Sequence, residues 1–263
     1  MTRPKNVLPR RATPLQPRRR AIIVGASSGI GAALARHLAS EGYTLALLAR
    51  RDELLTGLCT EINSTAGEIC AIPYIHDVTN YTVVPDLLQK IIADLGGLDL
   101  FIYNTGISIP SGMKHYEFEK DRYVTEVNYL GALAWLNPVA SLFHNLQAGQ
   151  IVGISSVAGE RGRVGNPSYN ASKAALSCYL ESLRNRLTRR GVHVLTVKPG
   201  YVQTEMAAAV KNPLFVIPVE RAAADICKAT RNHKQEIYTA PIWRLVMLVI
   251  RNIPSLVFRR LSF

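Results

Sequence analysis

Short apolar runs and amphipathic stretches alternate along almost the whole chain. The runs at 21–25, 43–49, 69–75, 99–104, 149–155, 192–198 and 235–239 read as strands. Between them, helical spacing of apolar positions predicts helices at 29–41, 52–65, 83–95, 117–145, 167–190 and 218–231. Strands and helices in this order predict an α/β fold, a parallel sheet covered on both faces that binds its ligand at the carboxyl ends of the strands. At 263 residues the chain can bury a sizeable core within one domain, expected here over 21–240.

Charge changes the picture only at the ends. Of the formal net +12, residues 1–20 carry +7 and residues 241–263 carry +4, neither with a single acid, so the body is almost neutral. The first segment has prolines at 4, 9, 14 and 17 and no apolar run of signal-peptide length, so it is expected to be a disordered basic arm. It lacks aromatic interleaving or a recognised module, and nucleic-acid binding is not expected of it. In 241–263 the apolar stretch between Arg244 and Arg251 is far shorter than the ~20 residues that span a bilayer. Two readings of this amphipathic tail stay open. It lies on an anionic membrane surface, or it packs on a neighbouring subunit or over the substrate cleft. The four cysteines (59, 70, 178 and 227) are scattered without a Cys-x-x-Cys pair, and the histidines without metal-ligand spacing. Packed, reduced thiols, a cytoplasmic location and no metal are the expectation.

The chemistry sits in two constellations. Tyr169 and Lys173 are four apart in a predicted helix, and so share one face, with Ser156 thirteen positions upstream. An ammonium beside a phenol favours its anion and makes a tuned proton donor. At the other end a predicted strand runs into Gly25-Ala26-Ser27-Ser28-Gly29-Ile30-Gly31 and then a helix. Glycines there allow a tight turn and close approach to a pyrophosphate, and the helix N-terminus attracts its charge.

Together these residues resemble the short-chain dehydrogenase/reductase family, from about Ala21 to Tyr238. The resemblance implies a single Rossmann-type doubly wound parallel sheet of about seven strands, order 3-2-1-4-5-6-7, with helices on both faces. It adds Asn128 to Ser156, Tyr169 and Lys173 as a catalytic tetrad. It also assigns cofactor contacts to Asp77 and Val78, to Asn104 and Gly106, and to Pro199, Gly200, Val202 and Thr204, with Tyr169 and Lys173 contributing as well. Two positions depart from the family pattern: Val24 stands for the usual Thr, and Thr105 for the usual Ala.

At the end of the second strand an NAD enzyme usually places a carboxylate, whereas this chain has Ala49-Arg50-Arg51. Arg50, helped by Ser27, is expected to grip the 2′-phosphate of NADP. The implied activity interconverts a ketone and a secondary alcohol. Ser156 and Tyr169 would hydrogen-bond the carbonyl, Tyr169 would supply the proton, Lys173 would lower its pKa and bind ribose, and Asn128 would hold a relay water. Apolar residues between Thr204 and Pro218 predict a lid suited to a lipophilic ketone, such as a 3-oxoacyl, 3-ketosphingoid or steroid-like compound. A dimer or tetramer is usual in such families. The alternatives are a catalytically silent NADP sensor, or a membrane- or nucleic-acid-associated binding protein on the same fold.

Overall fold

The computed structural model describes residues 19–261 apart from 111, 113, 209 and 211. In chain order the elements are β1 (Arg19–Val24), α1 (Gly29–Ser40), β2 (Tyr43–Ala49), α2 (Asp52–Ala66), β3 (Ala71–Ile75), α3 (Val84–Leu95) and β4 (Leu100–Tyr103). They continue with α4 (Phe118–Thr125), α5 (Gly131–Leu146), β5 (Gln150–Ile154), α6 (Pro167–Leu187), β6 (His193–Pro199), α7 (Glu205–Ala208), α8 (Val219–Arg231), β7 (Glu236–Thr239), α9 (Ile242–Asn252) and α10 (Ser255–Phe258). All seven strands are parallel, in the order β3-β2-β1-β4-β5-β6-β7.

Period-two alternation splits each strand between two cores. Ala21, Ile23, Leu45 and Leu47 pack with α1, α2 and α8 on one face, while Ile22, Val24, Ala46 and Leu48 pack with α3, α5 and α6 on the other. Because both faces are covered, the strands read as unbroken apolar runs. The order reverses between β1 and β4, whose neighbours lie on opposite sides. There the strand ends splay apart and leave a crevice at their carboxyl edge.

Several elements differ from the sequence reading. β1 starts at Arg19, inside the segment expected to be a disordered arm; residues 1–18 lie outside the described residues. Asp99 fixes this start, accepting from the Arg20 backbone at 2.8 Å and from its guanidinium at 2.8 and 2.9 Å. The third strand starts at Ala71 rather than 69. The long helix expected over 117–145 contains a π turn at Glu126–Leu130, an extra residue per turn that a purely apolar periodicity does not register. Asn128 sits in that turn.

Candidate active site

The glycine turn is set by the sheet beneath it. Gly25, at φ +90°, donates its N–H to Leu48 O at 2.8 Å, and its own carbonyl accepts from Asn104 Nδ2 at 2.7 Å. A Cβ on Gly31 would fall 2.0 Å from Gly25 O, so the first turn of α1 can lie against the loop only with glycine there. A Cβ on Gly25 would meet Thr105 at 2.7 Å, so the unusual threonine fills the space beside the turn. Val24, where the family has Thr, is buried in the core.

Beside this cradle stand two arginines with different partners. Arg50 donates to the Tyr123 hydroxyl at 2.8 Å and lies 3.6 Å from Asp77 Oδ2. Arg51, not Arg50, turns to the glycine loop: it donates to Ser27 Oγ at 3.2 Å, to Ser28 Oγ, and to Glu205 at 2.9 Å. Arg51 rather than Arg50 contacts Ser27, while both line the cleft; in an irregular segment spacing does not tell adjacent side chains apart.

At the far end of the crevice Ser156 caps the short turn Val157–Glu160, its Oγ accepting from Ala158 N–H at 3.1 Å. Tyr169 and Lys173 follow one turn apart on α6. Lys173 is 3 % exposed; its Nζ donates to Ile154 O at 2.9 Å and lies 5.9 Å from the centre of the Tyr169 ring. Burial pulls the Lys173 pKa down to about 8. The Tyr169 phenol is held above its ordinary value, chiefly by desolvation, against the opposing pull of the Ser156 hydrogen bond and the Arg163 charge. The expected lowering by Lys173 is therefore corrected for this state. The amine gives a donor to Ile154 O, and it is Ser156 and Arg163 that oppose the rise of the phenol.

Asn128 is fully buried. Its Oδ1 accepts from Ile107 N–H at 2.7 Å, and its Nδ2 donates to Ile107 O at 2.9 Å and to Ser172 Oγ at 3.0 Å. It braces the end of the β4 loop against α6 behind the wall of the crevice.

One cleft of about 660 Å³ unites most of the expected residues. Gly25, Ser27, Ser28, Gly29, Ile30, Arg50, Val78, Asn104, Gly106, Ser156, Tyr169, Lys173, Pro199, Gly200, Val202 and Thr204 line it. Gly31, Asp77 and Asn128 are not among the residues that line it. Arg51, Arg163, Tyr201 and Trp243 also line it, and sequence reasoning gave none of them a place there. Arg51 had left a signal as the neighbour of Arg50, and Trp243 as the aromatic residue of the tail whose cleft-covering reading was open. Of the cysteines, Cys59 and Cys227 are buried, with thiols pushed up to about 11 and about 12 by desolvation, whereas Cys178 is exposed rather than packed.

A doubly wound sheet with a glycine cradle at its switch point, and a serine, tyrosine and lysine gathered at the far side, has the architecture of a dinucleotide-dependent oxidoreductase. The family model described as short chain dehydrogenase matches residues 19–214, and the chain belongs to that family. It is 36% identical over 196 residues to an uncharacterized oxidoreductase of Myxococcus xanthus, covering 74% of this chain and 77% of that protein. It is 32% identical over 221 residues to the ketoacyl reductase HetN of Nostoc sp., covering 82% and 76%. Among solved structures, levodione reductase superposes with TM-score 0.77 at 22% identity, covering 84% of this chain and 95% of that one. A 3-oxoacyl-[acyl-carrier protein] reductase from Brucella melitensis gives 0.72 at 23% identity, with 84% and 90% covered. The protein is thus an NAD(P)-dependent oxidoreductase acting on CH–OH groups. The close-packed glycine turn and the serine hydroxyls beside it fit such a dinucleotide.

Proposed function

We propose that the chain reduces lipophilic ketones to secondary alcohols, and catalyses the reverse, with NADP rather than NAD. The carrying observation is the polarity of this cleft. Arg50, Arg51, Ser27 and Ser28 line it beside the glycine turn, Ser156, Tyr169 and Lys173 line it beside α6, Tyr201 and Trp243 line it beside the serine loop, and Met206, Ala207 and Val210 add apolar surface. Two guanidiniums and two hydroxyls suit a 2′-phosphate, which would compete with the Glu205 carboxylate for Arg51. When bound, the nicotinamide supplies the hydride. Ser156 and Tyr169 hydrogen-bond the substrate oxygen, and Tyr169 transfers its phenolic proton to it. Lys173 keeps a polar donor beneath the phenol, and Asn128 holds the loop and α6 in register. The apolar end excludes water and takes the alkyl or ring portion of the substrate.

The tail supports a second element of the reading, peripheral contact with an anionic membrane. No helix among the described residues is long and apolar enough to cross a membrane. The outward side of α9 and α10 exposes Leu245, Leu248, Val249, Leu256 and Val257 among Arg244, Arg251, Arg259 and Arg260. The decisive experiment compares NADPH with NADH across a panel of ketones, in the wild type and in Tyr169→Phe. The expected result is turnover with NADPH that falls by at least ~100-fold in the variant, the scale of one general acid, while NADPH binding persists. Equal rates in the two proteins would end the assignment of Tyr169.

A further inference from the structure

Helix α9 has an inner face as well as an outer one. Trp243, 6 % exposed, and Met247 are buried against Val157, with Tyr201 and Tyr238 packed alongside. The indole is wedged edge-on between two rings, its centroid 5.7 Å from that of Tyr201 at 67° and 5.9 Å from that of Phe215 at 89°. Beneath it, a Cβ on Gly200 would fall 1.9 Å from Trp243 Nε1, so glycine at this position makes room for the tail's tryptophan.

The other end of the helix is clamped to the serine loop. Arg161 Nη1 donates to the carbonyls of Ile250 and, at 3.1 Å, Arg251, and its guanidinium lies 3.8 Å from the centre of the Phe258 ring. Arg251 Nε in turn is 3.6 Å from Glu160 Oε2. The other oxygen of Glu160 accepts from Lys198 Nζ at 2.8 Å and from the Tyr238 hydroxyl. Glu160 ends the turn that Ser156 caps, and Arg161 follows it. One short segment therefore joins the serine to the wall that faces it.

We propose that Trp243 is the residue that sets the size of the substrate end of the cleft, and that Arg161 is a positioning residue that holds it there. The inference rests on the reading of that cleft as a ketone site. Truncating the indole leaves space that only a larger substrate fills, and pocket complementarity of this kind is worth about tenfold or more per fitted group. The Nε1–H of Trp243 has no hydrogen-bond partner among the described residues, so Trp243→Phe removes an unpaired donor and keeps most of the wall.

The test compares wild type, Trp243→Ala, Trp243→Phe and Arg161→Ala on cyclohexanone and a bicyclic decalone with NADPH. Trp243→Ala should raise kcat/KM for decalone relative to cyclohexanone by about tenfold, and Trp243→Phe should keep the wild-type ratio. Arg161→Ala should move the ratio toward that of Trp243→Ala with NADPH binding unaltered. A ratio unchanged in Trp243→Ala overturns the proposal. A readout independent of turnover uses the two tryptophans of the chain, of which Trp135 is sealed in the core. Decalone added to the NADP-saturated protein should change the emission of the wild type and leave that of Trp243→Phe unchanged. An emission change without reduction of any ketone would support the wall and defeat the ketone reductase. No change in the wild type would defeat the wall.

Discussion

The two ends of the cleft are held by different physics. At the cofactor end the backbone itself is the binding surface, pinned by Gly25 N–H to Leu48, by Asn104 to Gly25 and by a glycine contact that tolerates no side chain. At the substrate end the surface is side chains on a strap. Val202 and Ile217 are bridged at the ends of this segment, and its Met206, Leu214 and Phe215 remain exposed. A surface made of backbone has one shape, fixed by hydrogen bonds that cannot slide, whereas one made of side chains changes with each residue and rotamer. The cofactor end is thus suited to a ligand that never varies, and the substrate end to one that does.

The hardest way to break that contrast is to put a methyl group where the backbone closes on itself. In Gly31→Ala the new carbon meets Gly25 O, a backbone atom that cannot step aside, so the turn must open. We expect NADPH affinity to drop by about 100-fold, the upper range for overpacking, as read by fluorescence titration. Met206→Ala, at the pliable end, should leave that affinity alone. If the two variants bind NADPH equally well, the distinction between the ends fails.

A smaller effect belongs to the arginines. Arg50→Ala and Arg51→Ala should each lower the preference for NADPH over NADH by about tenfold, the value of one charge-assisted hydrogen bond discounted for exposure. NADH turnover should stay where it is. Loss of both activities in parallel would show that these residues serve the fold instead of the phosphate.

Where the two ends meet, Lys173 offers a pH test. Its folded pKa of about 8 lies below the ordinary 10.5, so between those values the unfolded chain holds more protons than the native one. Stability must then rise with pH across that window, and the full penalty of the buried charge applies below it. Lys173→Met has no such proton to bind. The stability of the wild type relative to that variant, from urea midpoints at pH 7, 8.5 and 10, should be lowest at pH 7 and climb between 8 and 10. A flat difference would mean that the amine is as well solvated folded as unfolded.

The same contrast explains what could be read from sequence. Gly25 to Gly31 and Tyr169 to Lys173 act through neighbours within one turn or one loop, so residue type and spacing carry their geometry. That the sheet is parallel and covered on both faces follows from the unbroken apolar runs and the helices between them, whereas its strand order came only from the family resemblance. Arg51 escaped notice because Arg50 and Arg51 differ only in where the chain bends. Trp243 escaped because its partners, Gly200, Phe215 and Val157, are distant in sequence and converge only in the folded chain. The π turn at Asn128 keeps helical periodicity nearly intact, and apolar spacing is blind to it.

The smallest expected effect sharpens the contrast on the outer surface. Helix α9 turns Trp243 and Met247 inward and leaves Leu245, Leu248 and Val249 outward beside Arg244. If the outer face meets anionic lipid, Arg244→Gln removes one cation near the head groups and should weaken binding to phosphatidylserine-containing vesicles by about fivefold. Phosphatidylcholine vesicles should bind both proteins equally weakly. Turnover of a soluble ketone should be unchanged, because Arg244 faces away from the packed side of the helix. Sedimentation with vesicles reads the first quantity and nicotinamide absorbance the second. A wild type that fails to sediment with either vesicle would leave the outer face without its lipid, while the cleft behind Trp243 stood unaffected.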